Sequence, residues 1–187
     1  MGLSRDDFSE VYLFFDYDGH QTNLEKTVHE DVICQMLKSF DNETENGKLY
    51  ISYPMVEALR DYEPGKCGDG KDCFADIQGL STYKNISANR AYNPHFKEYD
   101  FELWKQVIDV FAMRVSCLYK TSVVMEYEQY SNEVTPCEIF VRETKEAEKQ
   151  GVFVLSAFPE FLVDYFGVKL WKTSVKHTKN ERDKCEI

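Results

Sequence analysis

Three short runs of the chain are apolar without alternation: Val11 to Phe15, Leu49 to Tyr53, and Val152 to Leu155. Runs of this kind read as strands covered on both faces. Each is followed by a helical pattern. Between Leu24 and Phe40, Val28, Val32, Met36 and Leu37 recur at helical spacing, and Gly47 is the stop before Lys48. Pro54 opens a second helical stretch through Met55, Val56, Ala58 and Leu59. Pro159 opens a third through Phe161, Leu162 and Tyr165, closed by Gly167. Strand followed by helix, three times over, predicts an α/β fold with a short, mostly parallel sheet.

The middle of the chain differs. Pro64 to Cys73 and Asn85 to Asp100 read as loops, rich in glycine, charge or turn residues. A strongly amphipathic helix is predicted between Phe101 and Tyr119, carried by Leu103, Trp104, Val107, Ile108, Phe111, Val115 and Leu118. A second long helix is predicted from Pro136 to Lys149, with acids and lysines interleaved on its outer face. The expected organisation is one α/β domain over residues 1–172, carrying a helical insertion at about residues 85–150, with a polar tail over residues 173–187.

Charge narrows the function classes. The 187 residues carry 22 Lys plus Arg against 33 Asp plus Glu, a net charge of −11. That balance argues against nonspecific polyanion binding, which needs a surplus of cations. It leaves room for a nucleic-acid enzyme, because metal sites are built from carboxylates and a partner can supply basic surface. An aromatic fraction of 14% and a hydrophobic fraction of 43% argue for a packed core rather than a disordered chain. No apolar run approaches the length of a membrane span, and Met1 to Glu10 has no apolar signal-peptide region. Six cysteines without a CxxC pair read as reduced thiols of a cytoplasmic protein.

Candidate chemistry concentrates after the first strand, in Phe14-Phe15-Asp16-Tyr17-Asp18-Gly19-His20. In a parallel α/β sheet ligands bind at the carboxyl ends of the strands. Residues i and i+2 of an extended chain point the same way, so Asp16 and Asp18 can face one cation. Hard cations such as Mg²⁺ or Mn²⁺ take oxygen ligands of this kind, together with waters that a phosphate replaces. His20 is placed to act as a ligand or proton donor. The second strand runs into its helix with Glu57 in the first turn, at the same edge of the sheet. Glu57 reads equally as a helix-terminus acid and as a functional one. Ser52 and Tyr53 are similarly placed for a phosphate.

These segments resemble two families. FFDYDGH, GKLYISYPMVEAL and VFVLSAFPEFLVDYFG are similar to small bacterial proteins related to Toprim-type nucleases of phage-defence systems, over Glu10 to Gly167. The resemblance implies a Toprim/Rossmann-like sheet, Mg²⁺-dependent cleavage of nucleic-acid phosphodiesters, and an ATPase partner. It also implies metal ligation by Asp16 and Asp18, with Glu57 as a further acid. The Toprim pattern carries a glutamate on a strand before the DxD strand, and only Met1 to Glu10 stand before it here. The expectation is a chain lacking that unit, or a regulatory or binding subunit that is not catalytic alone. The weaker resemblance is to haloacid-dehalogenase-like phosphohydrolases. It implies Asp16 as nucleophile, Asp18 as acid/base and Ser52 as second motif. Gly68-Asp69-Gly70-Lys71-Asp72 has the letters of that family's fourth motif but no preceding apolar strand, and reads as a surface loop.

Other residues add little. His29, His95 and His177 are dispersed, and Cys67 and Cys73 lack zinc spacing. Leu80 to Tyr92, with Lys84 and Arg90, has the aromatic and basic content of a stacking surface for nucleic acid, and reads more simply as a connection.

Overall fold

The computed structural model describes residues 4–17, 26–64, 73–76, 80–90, 92–93, 96–147 and 151–175. It is an α/β fold with a small mixed sheet. Strand β1 (Tyr12–Asp16) pairs in parallel with β3 (Gly47–Ser52), bringing Tyr12 opposite Lys48 and Asp16 opposite Ser52. The two-residue strand β2 (Asp41–Asn42) lies antiparallel on the other edge of β3, so the order is β1-β3-β2. Gly47 opens β3 at a φ of +108°, a conformation that L side chains avoid. A side chain there would also crowd Val11.

The sheet is not the mostly parallel one the sequence predicts. The third apolar run forms β5 (Gly151–Phe153), which pairs antiparallel with β4 (Phe74–Asp76) in a separate two-stranded sheet. Among the described residues, the link to the first sheet is an antiparallel bridge between Tyr53 and Leu155, just past β5. An apolar run reports burial on both faces and carries no information about which strand it will join. The first run differs as well. Phe14 and Phe15 are 40% and 47% exposed, so β1 is covered less than its composition suggests. The β3 strand is buried along most of its length.

Among the described residues seven α-helices surround the strands: α1 (Lys26–Ser39), α2 (Leu80–Arg90), α3 (Phe101–Leu118), α4 (Tyr127–Glu133), α5 (Pro136–Ala147), α6 (Ala157–Phe166) and α7 (Val168–Ser174). Helix α3 follows its prediction closely. Asp100 accepts the Leu103 amide at 2.8 Å as the N-cap, and Val107, Ile108, Phe111, Val115 and Leu118 are buried. Helix α6 begins before Pro159. Its first turn is held by the Ser52 hydroxyl, which accepts from Ala157 N–H at 3.2 Å, and by the Ser156 side chain. It lays Phe158 and Phe161 against Tyr12, Phe14 and Tyr50. On the other face of β3, Leu49, Ile51 and Tyr53 join the main core with Leu37 of α1 and Ile139 and Phe140 of α5.

Two further expectations are corrected. The stretch read as a loop from Asn85 forms the second half of α2. Its Ser, Thr and Asn content disfavours helix intrinsically, and contacts with the 3-10 turn Val56–Asp61 supply what propensity lacks. Tyr83 donates to Asp61 at 2.6 Å, and Ser87 donates to the Glu57 carbonyl at 3.1 Å. The helix expected after Pro54 is that 3-10 turn, not an α-helix.

The small second sheet is closely packed. A Cβ added at Gly151 would stand inside the ring of Phe74, itself edge-on to Phe153 at 5.4 Å. Gly151→Ala is expected to destabilise the fold by about 1 to 3 kcal/mol through overpacking. Urea unfolding measures it, and an unchanged midpoint would mean that the Phe74 ring moves aside without cost.

Candidate functional site

The carboxyl end of the β1–β3 pair is where the predicted site is built. Asp16 is the last residue of β1, directly opposite Ser52. It is exposed. Its Oδ1 accepts the backbone N–H of Val56 at 2.8 Å, so the carboxylate caps the first residue of the 3-10 turn. A carboxylate at such a terminus satisfies an amide that the turn cannot pair internally. Tyr17 continues the strand direction, donating its N–H to the Ser52 carbonyl at 3.0 Å, and buries its ring beside Tyr53 and Phe140. Asp18 and His20 lie outside the described residues, as do Gly68 to Asp72, on which the dehalogenase-like alternative turns.

Glu57 is in the adjacent turn, 8% exposed, and its Oε1 pairs with Lys84 of α2 at 3.2 Å. Lys84 reaches this acid from a largely exposed position on α2. Ser52 is buried and its hydroxyl is engaged by the Ala157 amide, which ties it to the start of α6. Tyr53 is buried in the core, where desolvation pushes its phenol well above the ordinary tyrosine range. Neither Ser52 nor Tyr53 is open to a phosphate in this arrangement. Among the described residues no three His, Cys, Asp or Glu side chains gather as a metal site would require. A cation at this edge would draw on Asp16 and on Asp18 beyond it. The exposed Asp16 carboxylate fits a hard ion, and Glu57 is committed to Lys84.

The amino end of the same strands carries a polar cluster that sequence reasoning missed. Asp164 on α6 accepts Lys48 Nζ at 2.6 Å and the Tyr50 hydroxyl at 3.0 Å, both on Oδ2. One turn earlier, Glu160 is 3% exposed. Burial, and then the Asp164 charge, push its carboxyl well above the usual carboxylate range, against the opposing pull of Lys48. Tyr130 of α4 is 2% exposed, its ring fixed 4.6 Å from that of Trp171. The signal was present in Pro159-Glu160-Phe161-Leu162-Val163-Asp164: two acids at i and i+4 within an otherwise apolar helix.

Among the described residues no helix is long and apolar enough to cross a membrane. No known family, curated protein or solved structure matches this chain.

Proposed function

We propose that the carboxyl edge of the β1–β3 pair is a metal-dependent, phosphodiester-cleaving site of Toprim-like type, acting on nucleic acid. The observation that supports this reading is the parallel register, which puts the exposed Asp16 at the carboxyl end of the β1–β3 pair, the end where parallel α/β sheets generally bind ligands, with Asp18 two residues on in the sequence. Asp16 and Asp18 hold Mg²⁺ or Mn²⁺, and the ion supplies Lewis acidity at the phosphate. The cap from Asp16 to Val56 fixes the carboxylate against the 3-10 turn, so it is oriented before any ion arrives. His20 assists as proton donor, and Glu57 orders the adjoining turn through Lys84. With a net charge of −11 the chain needs a basic partner to hold a polyanion, which is the role assigned to an ATPase subunit.

The test incubates the protein with plasmid DNA and with RNA, in Mg²⁺ and in Mn²⁺. Asp16→Asn combined with Asp18→Asn is expected to lower cleavage by about a hundredfold or more. Asparagine keeps an oxygen for the Val56 amide, so this variant stays folded. Asp16→Ala loses the cap and is expected to cost about 1 kcal/mol of stability as well. Cleavage persisting in the double asparagine variant would refute the assignment.

The commitment of Glu57 to Lys84 favours a second reading, a binding or regulatory subunit without catalysis. It predicts no cleavage by the wild type in either metal and an undiminished association with its partner in the double asparagine variant.

A further inference from the structure

A cavity of about 500 Å³ opens between the first two turns of α3, the second half of α6 and helix α7. Phe101, Trp104 and Ile108 of α3 line one side of it, and Leu162 and Phe166 of α6 with Leu170 of α7 line the other. Both sets sit at helical spacing in the sequence, as the two halves of a core contact do. Facing apolar helix surfaces ordinarily interdigitate, and voids larger than a water are few in a packed interior. These two surfaces do not close. Ile108 and Leu170 are buried, while Phe101 and Phe166 are 62% and 56% exposed. The cavity therefore runs from a closed floor to an open aromatic rim. Its volume lies in the range of small-molecule sites.

Water is poorly suited to this space, because an ordered water needs about three polar partners. The Asp100 side chain caps α3, accepting the Leu103 amide at 2.8 Å. The Thr173 hydroxyl is engaged by the Lys169 and Leu170 carbonyls of its own helix, each at 3.0 Å. Tyr99 sets its ring against Trp104 at 4.9 Å, and burial pushes its phenol up to about 12 against the pull of Arg60, as apolar surroundings do. Lys169 and Asp100 are both exposed at the rim. They are opposite in sign and screened by solvent, so the rim selects neither an anion nor a cation.

We infer that this cavity binds an uncharged lipophilic small molecule, whose hydrocarbon body replaces water on the Phe101, Trp104 and Phe166 rings. Burial of those rings drives the binding. Tyr99 holds Trp104 edge-on, so that this wall is in place before the ligand arrives. The site is separate from the Asp16 edge, because α6 turns Phe158 and Phe161 to the sheet and Leu162 and Phe166 to the cavity.

The probe is N-phenylnaphthylamine, a neutral dye that brightens in apolar surroundings, with the protein titrated into it. One site per chain, half-saturated below about 200 µM, is expected. Octanol should displace the dye at about fifteenfold lower concentration than hexanol, the effect of two buried methylenes. It should also act at lower concentration than octanoate or octylammonium. Leu162→Trp fills the cavity and should abolish dye binding. Should that variant fail to fold, Phe166→Ala, at an exposed position, should weaken the dye about fivefold. No saturable binding, unchanged binding in the folded variants, or displacement led by either charged competitor would each overturn the proposal. So would a dimer in sedimentation that the dye dissociates, because a second copy of the chain would then be what covers the rim.

Discussion

Replacing Arg114 by leucine is expected to lower the unfolding free energy by about 3 kcal/mol or more. Arg114 lies in the middle of α3 and is 1% exposed. It donates from Nη1 to the Val154 carbonyl at 2.7 Å and from Nη2 to the Asp61 carbonyl, and its guanidinium sits 4.3 Å from the centre of the Tyr62 ring. Leucine fills part of the volume but leaves the buried Val154 carbonyl without its guanidinium donor, at about 1 to 3 kcal/mol, and the Asp61 carbonyl with only the Glu63 amide at 3.0 Å. It also gives up the ring contact. Lysine at this position should recover less than half of the loss, because one ammonium cannot span two divergent carbonyls as a planar fork does. Urea unfolding of the three proteins measures this. A loss under about 1 kcal/mol in the leucine variant would mean that water replaces the guanidinium at both carbonyls.

Stability should fall as pH rises from the acid side towards neutrality, and Glu143 and Glu160 should be responsible. Both carboxyls are buried. Desolvation is the main cause that pushes each well above its ordinary value of 4.5. Glu143 accepts the Phe153 amide at 3.0 Å, which opposes the shift, while the Glu146 charge adds to it. Glu160 faces Asp164 and Lys48, with Tyr50, Tyr53, Tyr119 and Tyr130 within electrostatic reach. A raised folded value means that the folded state holds a proton which the unfolded chain has already released. Their contribution is therefore fully present below the unfolded value, and it is lost as pH climbs towards the folded one. Each group tilts the unfolding free energy by about −1.4 kcal/mol per pH unit across that window. Glutamine is uncharged, close in shape, and still offers an oxygen to the Phe153 amide. Glu143→Gln and Glu160→Gln should each flatten the pH dependence and raise stability at neutral pH. Unfolding curves at several pH values between about 5 and 8 decide the matter. A slope identical to wild type in both variants would show that these carboxyls are ionised in the folded protein.

The parts of this fold legible in the sequence are those with strong local periodicity. Helix α3 carries seven apolar residues at helical spacing, and its observed limits, Phe101–Leu118, depart from the prediction by one residue. The end of β1 at Asp16 was legible because an apolar run stops there at a turn-forming Asp-Gly. Helix α2 was not, because Leu80 to Arg90 combines poor helix formers with almost no apolar stripe, and only the neighbouring turn at residues 56–61 makes it helical. The destination of the third apolar run was equally hidden. Its partner Phe74-Ala75-Asp76 is three residues long and adjoins a stretch that reads as loop. The polar cluster around Glu160 was visible as letters and invisible as a site, since its members come from β3, α4 and α6 and meet only in three dimensions.

The distances along the chain between paired strands govern the order in which this protein assembles. Tyr12 pairs with Lys48, Phe74 with Phe153, and Tyr53 with Leu155. Each such closure must overcome the entropy of a long loop before any contact rewards it. The helices between them close only short contacts and form first. A chain emerging from the ribosome cannot complete the support of β3 until residue 155 has been made, because both backbone hydrogen bonds of the Tyr53–Leu155 bridge wait for it. The pairing that carries Asp16 needs only residues 12–52 and its cap only Val56, so that edge can take shape well before the segment that braces it from behind.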